Sequence, residues 1–264
     1  SFAGMGTTIL NVKGEANVLN AMRECWASLF TGRSIYYRVE NKIPHEKVKI
    51  SVAVQKMVES EVSGVMFSID PVKGDKDRIV IQSVWGLGET IVQGSVVPDT
   101  YVVQRDTFAI LSKEISDQSV QLLKFKGGTK EFEVPKKIRK NQKITDAEII
   151  TLAKYSAKLQ KHYYFPQDTE WAKEKGKLYI VQTRPVTGTA LTEKERVKIG
   201  KEDIKIATVP VLTGSPASPG IGTGPVKILK NPKEIDKVKK GDVLVAPMTS
   251  PDYVPAMKKP AALI

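Results

Sequence analysis

The spacing of apolar positions changes several times along the chain, and each change marks an element. Val18, Leu19, Met22, Cys25, Trp26, Leu29 and Phe30 recur at helical spacing, which predicts a core-facing amphipathic helix stopped by Thr31-Gly32. From Ile50 the period falls to two. Residues 50–58 and 62–70 read as neighbouring strands, Pro71 and Gly74 close the second, and residues 78–84 form a third that ends in Trp85-Gly-Leu-Gly-Glu-Thr90. Residues 99–104 and 108–113 predict another hairpin. Thr145-Asp-Ala-Glu148 is a capping box, and Ile149, Leu152, Ala153, Ser156 and Leu159 continue it as a helix to about residue 162. Asp168-Thr-Glu-Trp-Ala172 and Leu178-Tyr-Ile-Val-Gln-Thr-Arg-Pro185 flank a short charged turn with Gly176, so they predict an antiparallel hairpin. Strict alternation puts Asp168 and Glu170 on one face of its first strand and Ile180, Gln182 and Arg184 on one face of its second. Residues 187–207 then turn polar and Lys/Glu-rich, as a linker does. A Gly/Pro-rich loop at 214–224 and short strands at 225–229 and 242–246 describe a small α/β unit beyond it.

Composition narrows the class. At 264 residues, 41% hydrophobic and 27% charged, the chain is globular and large enough for two domains or one large one. It has no apolar run of about 18 residues, the length a membrane span needs. A single cysteine, Cys25, allows no internal disulfide and fits a reducing cytosol, so a cytoplasmic location is expected. The formal net charge of +12 is mostly lysine interleaved with acids, the pattern of a solvated surface. Its densest basic stretch, 124–143, has eight basic residues against two acids and few aromatics for base stacking, so no nucleic-acid partner is expected.

Three stretches carry candidate chemistry. Two carboxylates, Asp168 and Glu170, with the amide of Gln182 supply hard oxygen ligands that suit Mg²⁺, which takes few protein oxygens when nucleotide phosphates and water complete its shell. Arg184 beside them can neutralise phosphate, although the same spacing also fits an ordinary charged hairpin facing water. Gly86 and Gly88 let the backbone bend and carry Glu89 out of a sheet edge, where it can accept hydrogen bonds from a ribose diol or simply face solvent. In the opening residues, Gly4 and Gly6 let backbone amides approach a phosphate and Thr7 and Thr8 add hydroxyls; a plain turn fits equally. The two histidines, His45 and His162, have no local partners that would make a catalytic triad or a zinc site.

Taken in order, residues 1–12, Trp26-Ala-Ser-Leu-Phe30, Gln55-Lys-Met-Val58, Ser63-Gly-Val-Met-Phe-Ser-Ile-Asp-Pro71, Gly86-Leu-Gly-Glu89, Asp168-Thr-Glu170 and Gln182-Thr-Arg-Pro185 resemble the nucleotide-binding domain of the phosphoenolpyruvate synthase (pyruvate, water dikinase) family. That family groups with pyruvate phosphate dikinase. The resemblance implies an α+β architecture with an ATP-grasp domain over residues 1–187, a linker over 188–210 and a partial swivelling phosphohistidine α/β domain over 211–264. Ala217-Ser-Pro-Gly-Ile221 and Thr249-Ser-Pro-Asp252 carry the likeness to that last domain. By position, the resemblance implies that Gln55, Met57 and Val58 line a hinge strand against adenine and that Glu89 holds the ribose hydroxyls. Glu170 and Gln182 would take the metal positions, Asp168 would support them, Arg184 would contact phosphate, and the loop with Gly4, Gly6 and Thr7 would lie over the triphosphate. Met5-Gly6 departs from the Gln-Gln or Gln-Glu pair frequent in the synthase branch after Ser-Phe-Ala-Gly.

The implied cofactors are ATP and Mg²⁺. The implied reaction makes phosphoenolpyruvate, AMP and phosphate from pyruvate, ATP and water through a phosphohistidine. On the same resemblance the transfer histidine and a pyruvate-binding barrel are expected after Ile264 and a Lys- and Arg-bearing subdomain before Ser1. The chain is thus expected to be a central fragment, inactive alone, of a protein that forms a homodimer. Two alternatives stay open at this point: another phosphotransferase of the group, such as pyruvate phosphate dikinase or an antibiotic-phosphorylating relative, and a non-catalytic nucleotide-binding regulator.

Overall fold

A computed structural model describes residues 6–126, 128–186, 214, 220–246, 253, 257 and 259–264. The first of them form helices α1 (Glu15–Ala27) and α2 (Gly32–Glu40). Strands β1 (Val62–Phe67) and β2 (Arg78–Trp85) follow, then a single helical turn, α3 (Glu89–Val92). Next come β3 (Asp99–Gln104), β4 (Ile110–Glu114), β5 (Val120–Phe125) and β6 (Gly128–Glu133). Helix α4 (Asp146–Tyr163) leads to β7 (Gln167–Glu174) and β8 (Lys177–Pro185).

Six of these strands make one antiparallel sheet in the order β4-β3-β2-β1-β7-β8. Alternation gives it two unlike faces. One face presents Val62, Met66, Ile79, Ile81, Tyr101, Val103 and Trp171, and α4 lays Ile149, Leu152 and Ala153 upon it; all are buried. Burying each large side chain there stabilises the fold by about 1.5–3 kcal/mol. The capping box starts α4 as its sequence predicts: Thr145 Oγ1 accepts from the Glu148 amide at 3.3 Å, and the Glu148 carboxylate accepts from the Thr145 amide at 2.8 Å. Glu148 also pairs with Lys173 on β7 at 2.7 Å, tying the helix start to the sheet. In β1, Gly64 lets β2 and β7 close on the strand, because a Cβ there would lie 1.8 Å from the Gln82 carbonyl oxygen and 2.8 Å from the Trp171 ring. A three-stranded parallel sheet, β9 (Val226–Ile228), β10 (Val243–Val245) and β11 (Ala262–Leu263), covers a second cluster of Leu229, Val238, Leu244 and Tyr253.

Several expectations change. Residues 50–58 form no strand; they run irregularly, and Gln55 reaches the Val181 carbonyl of edge strand β8 only through its side-chain amide, at 3.4 Å. Alternating hydrophobicity does not secure a ladder without a neighbouring backbone in register. Thr31-Gly32 is a junction, with Thr31 preceding α2 and its hydroxyl bonded to the Ser28 carbonyl at 2.9 Å. On α1 only Cys25 is buried, while Leu19 and Trp26 on the helix and Phe30 in the turn beyond it remain 52%, 46% and 72% exposed, so the apolar stripe is not the core face its spacing suggests. The start of the lysine-rich stretch belongs to the hairpin β5–β6, which its charges concealed. The expected linker over 188–210, Gly4, the turn Thr249-Ser-Pro-Asp252 and residues 215–219 of the loop before β9 lie outside the described residues.

Candidate functional site

The face of the large sheet turned away from α4 gathers the polar side chains. Opposed residues in an antiparallel pair project to the same side. Asp168 stands opposite Phe67 on β1 and Arg184 on β8; Glu170 stands opposite Val65 and Gln182. Two adjacent cross-strand rows thus carry two carboxylates, a carboxamide and a guanidinium. Arg184 grips one Asp168 oxygen through Nε at 2.8 Å and a terminal nitrogen at 2.7 Å. The Gln182 amide donates to Glu170 at 3.2 Å, which leaves the Gln182 carbonyl oxygen without a partner among the described contacts. Burial pushes the Glu170 carboxyl above its ordinary range; the Arg184 charge pulls it partly back and Asp168 adds to the rise. With Arg184 balancing one carboxylate, the patch keeps an excess of one negative charge when both acids are ionised, a setting that attracts a cation.

A β-bulge interrupts β8 between these rows and the hairpin turn. Trp171 is registered with Ile180, whereas Glu170 is registered with Gln182, so Val181 is the extra residue. Ile180 therefore leaves the line of Gln182 and Arg184 on which strict alternation places it.

The turn that carries Glu89 lies over the same face. Ser63 projects to the side of Val65 and Phe67, and its hydroxyl donates to the Gly86 carbonyl at 2.6 Å. Gly88 rests on that side chain, since a Cβ there would be 3.3 Å from Ser63 Oγ. Gly86 has φ of 82° and sits so near β5 that a Cβ would be 2.5 Å from the Leu122 carbonyl oxygen, which makes glycine the residue that fits. Glu89 begins α3 half-buried, and one of its oxygens accepts from Gln93 at 3.1 Å.

The remaining expected residues are placed less directly. The Thr7 amide donates to Ser28 Oγ at 3.3 Å, so it is already engaged within the fold. Gly6 lies near Ile50, with a Cβ position 3.6 Å from that side chain. Met57 and Val58 are half-buried and Gln55 is exposed, in the irregular run beside β8. His45 accepts from Arg38 Nε at 2.8 Å, and neither histidine belongs to the carboxylate rows.

Comparison with known proteins shows the family of the chain. The family model described as pyruvate phosphate dikinase, AMP/ATP-binding domain, matches residues 1–204. The chain belongs to that family. Over its whole length it is 48% identical to a probable phosphoenolpyruvate synthase of Methanocaldococcus jannaschii, of which it covers 22%. It is 44% identical to the phosphoenolpyruvate synthase of Pyrococcus furiosus and 40% identical to that of Pseudomonas aeruginosa, covering 33% and 35% of those proteins. The chain thus spans well under half the length of these relatives. The mixed α/β architecture with an antiparallel sheet accords with an ATP-binding domain of this family.

Sequence reasoning missed the residues that hold the site in place. Asn11, buried and with φ of 58°, donates to the Gly128 carbonyl at 3.0 Å and so pins the opening segment to the β5–β6 turn. Asp99 and Lys143 form a fully buried pair at 2.6 Å, and Asp99 also accepts from Tyr101 at 2.8 Å and from the Ser116 amide at 2.9 Å. Burial is the main reason the Tyr101 hydroxyl titrates well above its ordinary value. The only sequence signal for the pair is a lysine and an aspartate next to apolar runs, which surface residues share.

Proposed function

We propose that this chain binds Mg·ATP on the sheet face that carries Asp168, Glu170, Gln182 and Arg184, as the nucleotide half of a phosphoenolpyruvate synthase. The observation that carries the reading is the cross-strand register, which sets these four side chains in adjacent rows on the sheet face to which Ser63 ties the Glu89 turn. The donor set fits Mg²⁺: the available ligands are carboxylate and carboxamide oxygens, and among the described residues no group of three or more His, Cys, Asp or Glu offers a softer or fuller cage. Glu170 and Gln182 would hold the ion, which supplies neutralisation of phosphate charge when bound. Asp168 keeps Arg184 extended along its row, from which the guanidinium can meet a phosphate oxygen in bidentate fashion. Glu89 accepts from the ribose hydroxyls, and Gln55, Met57 and Val58 line the adenine side. Gly4, Gly6 and Thr7 belong to the loop over the phosphates.

The ATP-grasp domain of this proposal spans 1–187, with a linker over 188–210 and the start of a phosphohistidine domain over 211–264. In the whole protein, a histidine outside this chain accepts phosphate from ATP and passes it to pyruvate; ATP, pyruvate and water yield phosphoenolpyruvate, AMP and phosphate. The named relatives favour this acceptor over others of the group. The chain's residues do their work through positioning and charge neutralisation, the main routes to phosphoryl transfer.

Replacing Glu170 with Ala in the full-length protein is expected to cut phosphoenolpyruvate formation by about 10² or more, because charge clamps dominate this chemistry. Turnover unchanged in that variant at low Mg²⁺ would remove the metal assignment. Glu89→Ala is expected to weaken ATP binding by about 1–3 kcal/mol, the cost of lost hydrogen bonds to a charged acceptor. Calorimetric titration with ATP checks it.

A further inference from the structure

Trp85 ends β2, but the ladder between β2 and β3 has already stopped at the pair Ser83 and Asp99. A side chain takes the place of the missing strand. The Trp85 amide donates to Gln118 Oε1 at 2.8 Å, and Gln118 Nε2 donates to the Trp85 carbonyl at 3.1 Å and to the Val120 carbonyl at 2.8 Å. Both amide hydrogens and the carbonyl oxygen of Gln118 are thereby used, and the residue is 1% exposed. Gln118 is itself fixed: its backbone amide donates to the Arg139 carbonyl at 3.1 Å, and two residues earlier Ser116 is held by buried Asp99.

The residues just after Trp85 form the turn that carries Glu89. Three further contacts finish the clamp. The Gly86 amide donates to the Glu61 carbonyl at 2.9 Å, the Leu87 amide donates to the Leu122 carbonyl at 2.9 Å, and Ser63 Oγ donates to the Gly86 carbonyl at 2.6 Å. Among the described residues, the Glu89 carboxylate takes its side-chain hydrogen bond from Gln93, one turn on, and none from the clamp. Its direction is therefore set by the backbone leading into it.

We propose that Gln118, assisted by Ser63, is a positioning residue that aims the Glu89 carboxylate at the nucleotide's sugar. The proposal rests on the reading of Glu89 as the ribose acceptor. Gln118 touches no substrate; it replaces a strand so that the turn leaves the sheet in one direction. An ordinary ladder partner would continue β2 and carry the chain past the site. Loss of the clamp leaves a buried N–H and C=O unpaired and lets the turn drift, and a small displacement of one acceptor suffices to lose a hydroxyl pair.

The test measures affinities for ATP and 2′,3′-dideoxy-ATP in the full-length protein, for the wild type, Gln118→Met and Ser63→Ala. Methionine matches glutamine in length and lacks its hydrogen bonds. The wild type is expected to prefer ATP. Gln118→Met is expected to weaken ATP about tenfold, the equivalent of one charge-assisted hydrogen bond, while the dideoxy nucleotide changes about twofold or less, so that discrimination collapses. Ser63→Ala should move both affinities in the same directions by a smaller factor, and it supplies the decision if Gln118→Met does not fold. Equal weakening of both nucleotides, or discrimination kept in a folded variant, would overturn the positioning role while leaving Glu89 as the ribose acceptor. A wild type that does not discriminate would overturn the ribose reading, and the inference with it, before any variant is compared.

Discussion

Glu170 is the residue whose environment says most about the site. Its carboxyl is raised chiefly by burial on a sheet face, so the folded protein favours its protonated form more than the unfolded chain does. Folding carries no penalty from this group below the unfolded value of about 4.3, and stability is lost as pH rises through the higher folded value. Glu170→Gln is therefore expected to leave the melting temperature of the ligand-free protein unchanged in acid and to raise it near neutral pH, as read by thermal unfolding at several pH values. A cation reverses that burden by needing the ionised carboxylate, so Mg²⁺ binding should weaken at a higher pH than an ordinary carboxylate would give. A residue kept at a cost to stability is what a binding site contains.

Among the elements, the start of β3 is held by polar rather than apolar contacts. Asp99 and Lys143 meet with neither side chain exposed, and Tyr101 and Ser116 satisfy the remaining carboxylate positions. Breaking such a pair from one side leaves an uncompensated buried charge. Lys143→Met is expected to destabilise the fold by about 3–5 kcal/mol, measured by denaturant unfolding, whereas replacing Asp99 and Lys143 together by apolar residues should recover much of the loss. The pair also anchors Ser116 and so the segment that carries Gln118, which places it upstream of the Glu89 turn. At the same scale, α1 shows what hydrophobic spacing can and cannot say. The period predicts a helix and a helix forms, yet its Leu19 and Trp26 stay exposed. Periodicity reports which residues share a stripe, and packing decides whether anything covers it.

For the molecule as a whole, the proposal makes nucleotide and metal one ligand. In the full-length protein, Mg·ATP at about 100 times its dissociation constant is expected to add about 2.7 kcal/mol of apparent stability. Differential scanning fluorimetry reads this as a rise in melting temperature, and chelation of Mg²⁺ should abolish most of it. A rise undiminished by chelator would contradict a shared site built on Glu170 and Gln182. Among the described residues no helix is long and apolar enough to cross a membrane.

Features that depend on near neighbours are legible in the local pattern of residues. The capping box and the core stripe of α4, the β1 and β2 strands and the hairpin of β7 and β8 all follow from spacing, because each is settled within a few residues. The sequence's likeness to a known family pointed to nucleotide chemistry, and the family match over residues 1–204 bears that out. Tertiary structure alone decided the rest. Only the sheet order put β1 between β2 and β7, and so brought Ser63 and the Gly86 turn onto the face of Glu170. Only the bulge at Val181 removed Ile180 from that line. Residues 50–58 alternate as a strand does but found no partner ladder, and Gln118 looks like any polar loop residue until β3 stops short and leaves Trp85 in need of one. Hydrogen bonds between residues far apart in the chain depend on where distant segments end, and a local pattern carries no record of that.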